Sequence, residues 1–257
     1  MVSLARLDDA LCAMYAAIAR TTPGGWVAED DGLLCCGSPR GNVATNMAIV
    51  TGAPRPEAVR VAADARFGER PYSVWTRAHA DRGLEAALAD VGYVELDRQP
   101  AMAFVRGTPA PDVRPDVVLR DVRDDGGRAA CATIMARAFA VYGLPEESTA
   151  AHFATLDAVT GDDRWAVLAC ADGRAVAGAV AYLADGVAGI GWVGTLPEAA
   201  GRGYGGAVTA AVVREALARG ANLVVLQASV MGAPLYERLG FTIETDYGVF
   251  VRMEERG

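Results

Sequence analysis

One glycine-rich run constrains this chain more than any other feature. It follows an apolar, strand-like segment, precedes a segment with helical spacing of apolar residues, and consists of Gly201, Arg202, Gly203, Tyr204, Gly205 and Gly206. Glycines at a strand-to-helix junction let backbone N–H groups approach an anion, and the positive end of the helix dipole faces the same point. Arg202 adds a positive charge there. The run therefore predicts a phosphate-binding turn in an α/β or α+β fold.

The spacing of this turn disfavours two common kinds of phosphate site. A dinucleotide fold places G-x-G-x-x-G after its first strand, with an acidic residue about 20 positions further on. Here the turn follows the fourth predicted strand of its half, and the next apolar segment, 222–228, contains no acid. A P-loop needs a lysine, whereas all 24 basic residues of this chain are arginine. The lack of lysine also excludes Schiff-base chemistry on that residue.

Charge and cysteine usage argue against several further kinds of partner and binding site. Acidic residues number 32 and the net charge is −8, which disfavours a nucleic-acid or anionic-membrane partner. The five cysteines form no C-x-x-C pair and only His79 and His152 are present, so we expect no metal site. The N-terminus lacks a signal-peptide pattern, and the longest apolar run, 175–184, is about half of a membrane span. We therefore expect a protein of the reducing cytoplasm.

A proline-rich segment divides the chain. Residues 109–116 contain three prolines and are predicted to form an extended linker between domains at 1–108 and 117–257. Apolar periodicity predicts helices over 4–20, 57–66, 82–91, 125–141, 147–159, 205–219 and 232–239. It predicts strands at 32–36, 43–50, 72–76, 101–106, 117–120, 165–170, 175–183, 187–195, 222–228 and 246–253. This alternation in both halves is typical of an α/β chain with a mixed (α+β) sheet.

The two halves end alike. Residues 84–93 read LEAALADVGY, and residues 232–241 read GAPLYERLGF. In each, a short helix follows a strand, ends at a glycine and an aromatic residue, and leads into a last strand. The linker position and this matched order favour an internal duplication. The N-terminal copy lacks the glycine-rich turn, so we expect it to be a degenerate version of the C-terminal one.

The C-terminal half resembles the GCN5-related N-acetyltransferase (GNAT) family. In that family a strand ending V-x-[VT]-x-P leads into [QR]-x-x-G-x-[GA], and here VGTLP at 193–197 leads into AGRGYG at 200–205. The segment LQASVMGAPLYERLGF is similar to the family's fifth strand and its N-x-x-[AG]-x-x-x-Y-x-x-x-G-F motif, and the resemblance spans about 117–253. Two positions differ from the family motifs: Ala200 stands where the family has Gln or Arg, and Ser229 stands where it has Asn. The resemblance implies a tandem GNAT-like acyl-CoA N-acyltransferase fold with two similar domains.

The same resemblance implies roles for individual residues toward acetyl-CoA, without a metal. Backbone groups of Val193, Gly194 and Thr195 would pair with the pantetheine arm, and Ser229 would hydrogen-bond to it. The pyrophosphate would be held by Gly201, Arg202, Gly203, Tyr204, Gly205 and Gly206. Tyr236 would protonate the departing thiolate, at little cost if its pKa is near 10 and that of the thiol near 8.5. The strands at 187–195 and 222–228 would splay apart to form the slot for pantetheine.

These motifs leave the general base and the acceptor open. The strand before the turn has no carboxylate, which leaves Glu146, Glu147 and His152, in the segment where the family builds its acceptor site. A base acting through water, or an acceptor of low intrinsic pKa, would also fit. Trp192 would either line the acceptor pocket or belong to the core. We expect acyl transfer to an amine of a small molecule or peptide, by a monomer or homodimer. Two alternatives are a non-catalytic acyl-CoA sensor or scaffold and a turn that binds another phosphate ligand.

Overall fold

The computed structural model describes residues 2–112 and 114–252. Within these ranges seven helices, α1 to α7, span Leu4–Thr21, Pro56–Phe67, Arg82–Leu88, Asp125–Ala140, Glu146–Ala151, Tyr204–Ala218 and Ala233–Arg238. Eleven strands, β1 to β11, span Trp26–Asp30, Leu33–Gly37, Met47–Val50, Ser73–Arg77, Tyr93–Val105, Val118–Asp121, Arg164–Ala171, Arg174–Ala184, Val187–Thr195, Leu223–Gln227 and Thr242–Arg252. Val113, in the predicted linker, and Met253, where the last predicted strand ends, lie outside the described residues. No helix in the described ranges is long and apolar enough to span a bilayer.

Most helices and strands lie within a few residues of the predicted bounds, but three differ. The helix predicted over 147–159 ends at Ala151 and is followed only by a 3-10 turn, because the backbone of Thr155 is extended. The pattern does not predict β1, whose residues are mostly half-buried. β5 begins at Tyr93 instead of near residue 101, although charged residues and Pro100 give it a loop-like sequence. Its pairing with β11 along most of its length overrides that local preference.

The two halves of the chain repeat one topology within a single sheet. The described strands lie in the order β1-β2-β3-β4-β11-β5-β10-β9-β8-β7-β6. In the first half, β2 pairs antiparallel with β3, and β3 pairs parallel with β4. In the second half, β8 pairs antiparallel with β9, and β9 pairs parallel with β10. The repeated pairing agrees with the duplication that the matched sequence ends predict.

The last strand of each half lies in the part of the sheet built by the other half. β5, which ends the first half, pairs antiparallel with β10, and β11, which ends the second half, pairs antiparallel with β4. β5 and β11 also pair with each other and so join the two halves. The apolar core of each half therefore contains a strand contributed by the other half.

Helices cover both faces of this sheet. On one face α1 and α4 share an apolar cluster that includes Met14, Ile134 and Trp192. On the other face α6 packs over β7, β8 and β9, in a cluster that also includes Phe104 of β5, and α2 packs over β2. A Cβ on Gly189 of β9 would lie 2.9 Å from Met14 Sδ, so glycine there lets α1 approach β9. α1, from the first half, thus borders the predicted site of the second half.

Candidate active site

β9 and β10 separate beside the middle of the sheet, as predicted. They pair in parallel as far as Ile190 and Leu226, after which β10 ends at Gln227 while β9 continues to Thr195. Beyond Ile190, the edge of β9 that faces β10 pairs with no other strand in the described part of the chain. Such an edge presents N–H and C=O groups to an extended ligand, which can bind as an added strand.

A β-bulge occurs at the start of this free edge. In the pairing of β8 with β9, Val180 lies opposite Trp192 and Ala181 lies opposite Ile190, so Gly191 is an extra residue. A bulge bends its strand and increases the local twist. It therefore gives a local reason why β9 leaves β10 at this point.

The glycine-rich turn follows β9 after a short 3-10 turn at Pro197–Ala199. Gly201 and Gly203 have φ angles of +74° and +82°, which favour glycine. α6 begins at Tyr204, and no side chain of the described residues caps its first turn. The N–H groups of that turn are therefore available to an anion, which the helix dipole also favours.

Three further glycines allow close packing around the turn. A Cβ on Gly205 would lie 3.2 Å from Thr195 Oγ1, and one on Gly206 would lie 3.1 Å from a leucine methyl group of α7. A Cβ on Gly194 would lie 2.9 Å from Met135 Sδ. Glycine at 205 and 206 therefore brings α6 close to β9 and α7, and glycine at 194 brings β9 close to α4.

Arg114, from the proline-rich segment, places a cation at this turn that the motifs do not predict. Its Nη1 donates a hydrogen bond to the carbonyl oxygen of Arg202 at 2.6 Å, and its guanidinium pairs with the carboxylate of Asp116. Arg114 and Arg202 are both exposed. Because Asp116 offsets the charge of Arg114, the net positive charge at this corner comes from Arg202 and the first turn of α6, on a protein whose net charge is −8.

A cavity of about 650 Å³ extends through the splay and is lined by both halves of the chain. The first half contributes Tyr15, Val43, Ala44, Trp75, Leu96, Asp97 and Gln99. Of the predicted site residues, Val193, Thr195, Gly205, Ser229 and Tyr236 line the cavity. The predicted residues Gly194, Gly201, Arg202, Gly203, Tyr204 and Gly206 lie outside its lining. The structure therefore brings the predicted acid, Tyr236, into one cavity with the free edge of β9 and the start of α6.

Tyr236 and Ser229 face this cavity from the segment around α7. Burial raises the pKa of Tyr236 above its usual value near 10, so the phenol is protonated at neutral pH. The ring of Tyr236 packs edge-on against Phe241, with 6.0 Å between the ring centroids. The hydroxyl oxygen of Ser229 accepts a hydrogen bond from Gly232 N at 3.1 Å, which leaves its proton to donate to a ligand.

The residues considered as general bases do not line the cavity. Glu146 and Glu147 are exposed on α5. His152 is buried, its Nδ1 lies 2.9 Å from Thr22 Oγ1, and burial lowers its pKa to about 4. Its ring is 5.9 Å from that of Trp192, which is itself buried and lines the cavity. Trp192 thus belongs to both the core and the cavity wall, and the ring of His152 packs against the ring of Trp192.

Asp97 is the one charged side chain among the described residues that line the cavity. Its carboxylate accepts hydrogen bonds from Arg98 N at 2.8 Å and from Gln99 Nε2 at 3.2 Å. Sequence reasoning missed it because β5 belongs to the other half and the pairing of this part of β5 with β11 leaves no local pattern. No group of three or more His, Cys, Asp and Glu side chains in the described ranges is placed to bind a metal ion.

The turn that corresponds to the glycine-rich turn in the first half is occupied by a side chain. Between β3 and α2, Arg77 donates hydrogen bonds to the carbonyl oxygens of Thr51 and Gly52, at 3.1 and 2.7 Å. The same guanidinium forms a salt bridge with Asp81 at 2.8 Å. β3 and β4 also pair up to Ile49, the penultimate residue of β3. The first half therefore repeats the topology but lacks an open slot at the equivalent place.

The second half matches a known protein family. Residues 128–241 match the model of the acetyltransferase (GNAT) family. The match begins in α4 and ends before β11, so it includes the splay, the glycine-rich turn and Tyr236. No curated protein matches the sequence significantly.

Solved structures of similar fold extend over both halves. A GCN5-related N-acetyltransferase from Kribbella flavida covers 97% of this chain and 95% of its own, with a TM-score of 0.72 and 22% identity. A functionally unknown conserved protein from Staphylococcus epidermidis covers 90% and 95%, with a TM-score of 0.67 and 16% identity. A tandem GNAT protein from the clavulanic acid biosynthesis pathway covers 97% and 95%, with a TM-score of 0.59 and 16% identity. At these identities the likeness shows the fold, which is the predicted tandem GNAT fold.

Proposed function

Residues 128–241 of this chain are a domain of the acetyltransferase (GNAT) family, and on that premise we propose that the protein transfers an acetyl or other short acyl group from acetyl-CoA to an amine. The GNAT fold supports acyltransferase activity in general, and the donor and the acceptor class are the proposed part. The observation that carries the proposal is the cavity, which joins the free edge of β9, the start of α6 and Tyr236.

We assign donor binding and chemistry to 117–257 and a wall of the acceptor site to 1–108. Two observations support this division. Arg77 fills the turn of the first half that corresponds to the glycine-rich turn. Seven residues of the first half nevertheless line the cavity of the second half. The first half would therefore shape the acceptor site without binding a second acetyl-CoA.

The residues at the turn and along β9 fit acetyl-CoA. The pyrophosphate would accept hydrogen bonds from N–H groups between Gly201 and Gly206, and Arg202 and Arg114 would neutralise part of its charge. The pantetheine arm carries amides that can pair with the free edge of β9 at Val193 to Thr195, while the Ser229 hydroxyl donates from the opposite side. In this position the thioester enters the cavity near Tyr236.

The chain's residues then have separate tasks in the transfer. Backbone N–H groups of β9 polarise the thioester carbonyl, which favours attack by a neutral amine. The N–C bond forms, the C–S bond breaks, and the nitrogen loses a proton to solvent or to a base. Tyr236 donates its phenolic proton to the departing sulfur and recovers one from solvent.

Burial affects both partners of this last proton transfer. The pKa of Tyr236 is raised by burial, which makes the phenol a weaker acid than the unperturbed tyrosine assumed from the sequence. A thiolate in the same cavity is also desolvated, so its pKa rises too. Each unit of difference between the two pKa values costs about 1.4 kcal/mol. The transfer therefore depends on that difference and not on either value alone.

Thermal unfolding with and without acetyl-CoA tests donor binding, with two matched glycine variants. Gly201 and Gly173 have φ angles of +74° and +75°, and a Cβ on either meets no atom within 4 Å. Gly201→Ala and Gly173→Ala should therefore lose similar stability, about 1–2 kcal/mol, from the left-handed conformation alone. Gly201 belongs to the glycine-rich turn, whereas Gly173 lies in the turn between β7 and β8.

Acetyl-CoA at about 100 times its Kd adds roughly 2.7 kcal/mol of stability. We expect that increase in the wild type and in Gly173→Ala, and an affinity about tenfold or more weaker in Gly201→Ala, where contacts to the pyrophosphate are disturbed. An equal increase in all three proteins would show that the turn does not hold the ligand. No increase in any of them would overturn the proposed donor.

A further inference from the structure

The cavity has two walls of different origin. β10 ends at Gln227, whereas its neighbours β9 and β5 both continue past that point on opposite sides of the gap. The chain after β10 stays close to β5 at first, because Ala228 N donates to Pro100 O at 2.9 Å. β9 forms the wall along which pantetheine would lie, and β5 forms the wall that faces it. The acceptor must therefore fit against residues of β5 and its neighbours.

Among the described residues by which β5 lines the cavity, one carries a negative charge and none carries a positive charge. Asp97 and Gln99 line the cavity from β5, and no arginine or histidine is among the described lining residues. The hydrogen bonds from Arg98 N and Gln99 Nε2 hold the Asp97 carboxylate in one orientation. A cationic group is the partner that such a carboxylate favours, whereas a second carboxylate on the acceptor would meet no cation.

Two pairs of aromatic rings also line the cavity. Tyr15 and Trp75 of the first half line it with their ring centroids 5.6 Å apart, and Phe139 and Trp192 of the second half line it with theirs 5.2 Å apart. Trp75 and Trp192 are only 3% and 4% exposed, so their rings are fixed by packing. Fixed aromatic faces favour a flat apolar body and tolerate one cationic group beside them.

We infer that the acceptor is a monoamine with an aromatic or similarly apolar body, whose ammonium group binds Asp97. This inference rests on the proposed acetyl transfer and narrows its acceptor. For attack, the ammonium gives one proton to an Asp97 carboxylate oxygen, directly or through water, and its freed lone pair forms the N–C bond. The proton then passes from Asp97 to solvent. Amino acids and polyamines fit less well, because the described residues that line the cavity include no cation and only one carboxylate.

Ligand pairs test this inference on the full chain saturated with acetyl-CoA. Quenching of tryptophan fluorescence reports binding, since Trp75 and Trp192 line the cavity. We compare 2-phenylethylamine with 2-phenylethanol, phenylalanine and butane-1,4-diamine, and we follow amine-dependent thiol release. 2-Phenylethylamine should bind about tenfold or more tightly than each of the others. The alcohol lacks the ammonium group, phenylalanine adds a carboxylate, and the diamine has a second ammonium group in place of the aromatic ring. Equal binding of all four, or preference for the diamine, would overturn the inference without any variant.

Substitutions of Asp97 then test whether the ammonium group of the acceptor binds to this carboxylate. Asp97→Asn should weaken 2-phenylethylamine binding and lower kcat/KM about tenfold or more, while Asp97→Glu should keep most of the affinity. Asp90→Asn is the matched control, because Asp90 is exposed and lies outside the lining. Wild-type amine affinity in Asp97→Asn would overturn the inference. The increase in thermal stability with acetyl-CoA should be the same in all four proteins, so its absence in the wild type would refute the proposed donor separately.

Discussion

Replacing Phe104 by alanine tests whether the last strands of the two halves are exchanged. Phe104 belongs to the first half by sequence, but its ring is fully buried in the core of the second half. It lies 5.6 Å from the ring of Phe241. The reciprocal residue is Phe250 of β11, which is 4% exposed in the core of the first half. Each alanine variant should therefore damage the half that does not contain it in sequence.

The expected loss in the free energy of unfolding of Phe104→Ala is large enough to measure. Removing a fully buried phenylalanine side chain costs about 3–5 kcal/mol, from lost transfer free energy and the cavity that remains. For a chain of this size, each kcal/mol lowers the unfolding midpoint by roughly 2–4 °C. Phe104→Ala should thus lower the midpoint by roughly 6–20 °C. Val105→Ala on the same strand is the control, because Val105 is 42% exposed and its loss should cost about 0.5–1 kcal/mol.

Hydrogen–deuterium exchange, followed on peptides by mass spectrometry, locates the damage. In Phe104→Ala the largest loss of protection should occur in β10, which pairs with β5, and in α6, which shares the cluster of Phe104. In Phe250→Ala it should occur in α2 and β2, which share the cluster of Phe250. The opposite pattern, with α2 opened by Phe104→Ala, would show that each half keeps its own last strand. It would also remove β5 from the cavity wall.

Two further predictions concern single side chains. Tyr236→Phe should bind acetyl-CoA like the wild type but lower kcat for amine-dependent thiol release about 100-fold, because it removes the proton donor; an unchanged kcat would show that Tyr236 is not the acid, and a wild type that binds acetyl-CoA without releasing thiol would favour a non-catalytic acyl-CoA-binding protein. His152 has a pKa of about 4 in the folded state against 6.5 for the free side chain, so unfolded chains bind more protons between these values. The contribution of His152 to the free energy of unfolding should be fully present above pH 6.5. It should fall by up to about 3 kcal/mol as pH drops from 6.5 through 4. Urea unfolding against pH should show a shallower decline for His152→Gln, and parallel curves would contradict this.

Much of the second half follows from the sequence alone. Gly201 and Gly203 permit the left-handed backbone that the turn adopts, and the apolar periods on either side identify β9 and α6. Tyr236, Gly240 and Phe241 keep the spacing of a known family, and the structure places Tyr236 in the cavity. These features are local, because a turn, a helix start and an alternating strand depend on residues near one another in the chain.

The other wall of the site depends on contacts between distant segments. Periodicity indicates which face of a strand is buried, but it does not identify the strand that pairs with it. β5 has the composition of a loop, and only its pairing with β10 and β11 makes it a strand and brings Asp97 into the cavity. Arg114 reaches the glycine-rich turn through a hydrogen bond to a residue 88 positions away. The sequence thus determined the glycine-rich turn, the spacing that leads to Tyr236 and the two repeated halves, whereas the tertiary structure decided the strand exchange and the second wall of the cavity, because hydrogen-bond partners between strands are chosen by the whole fold.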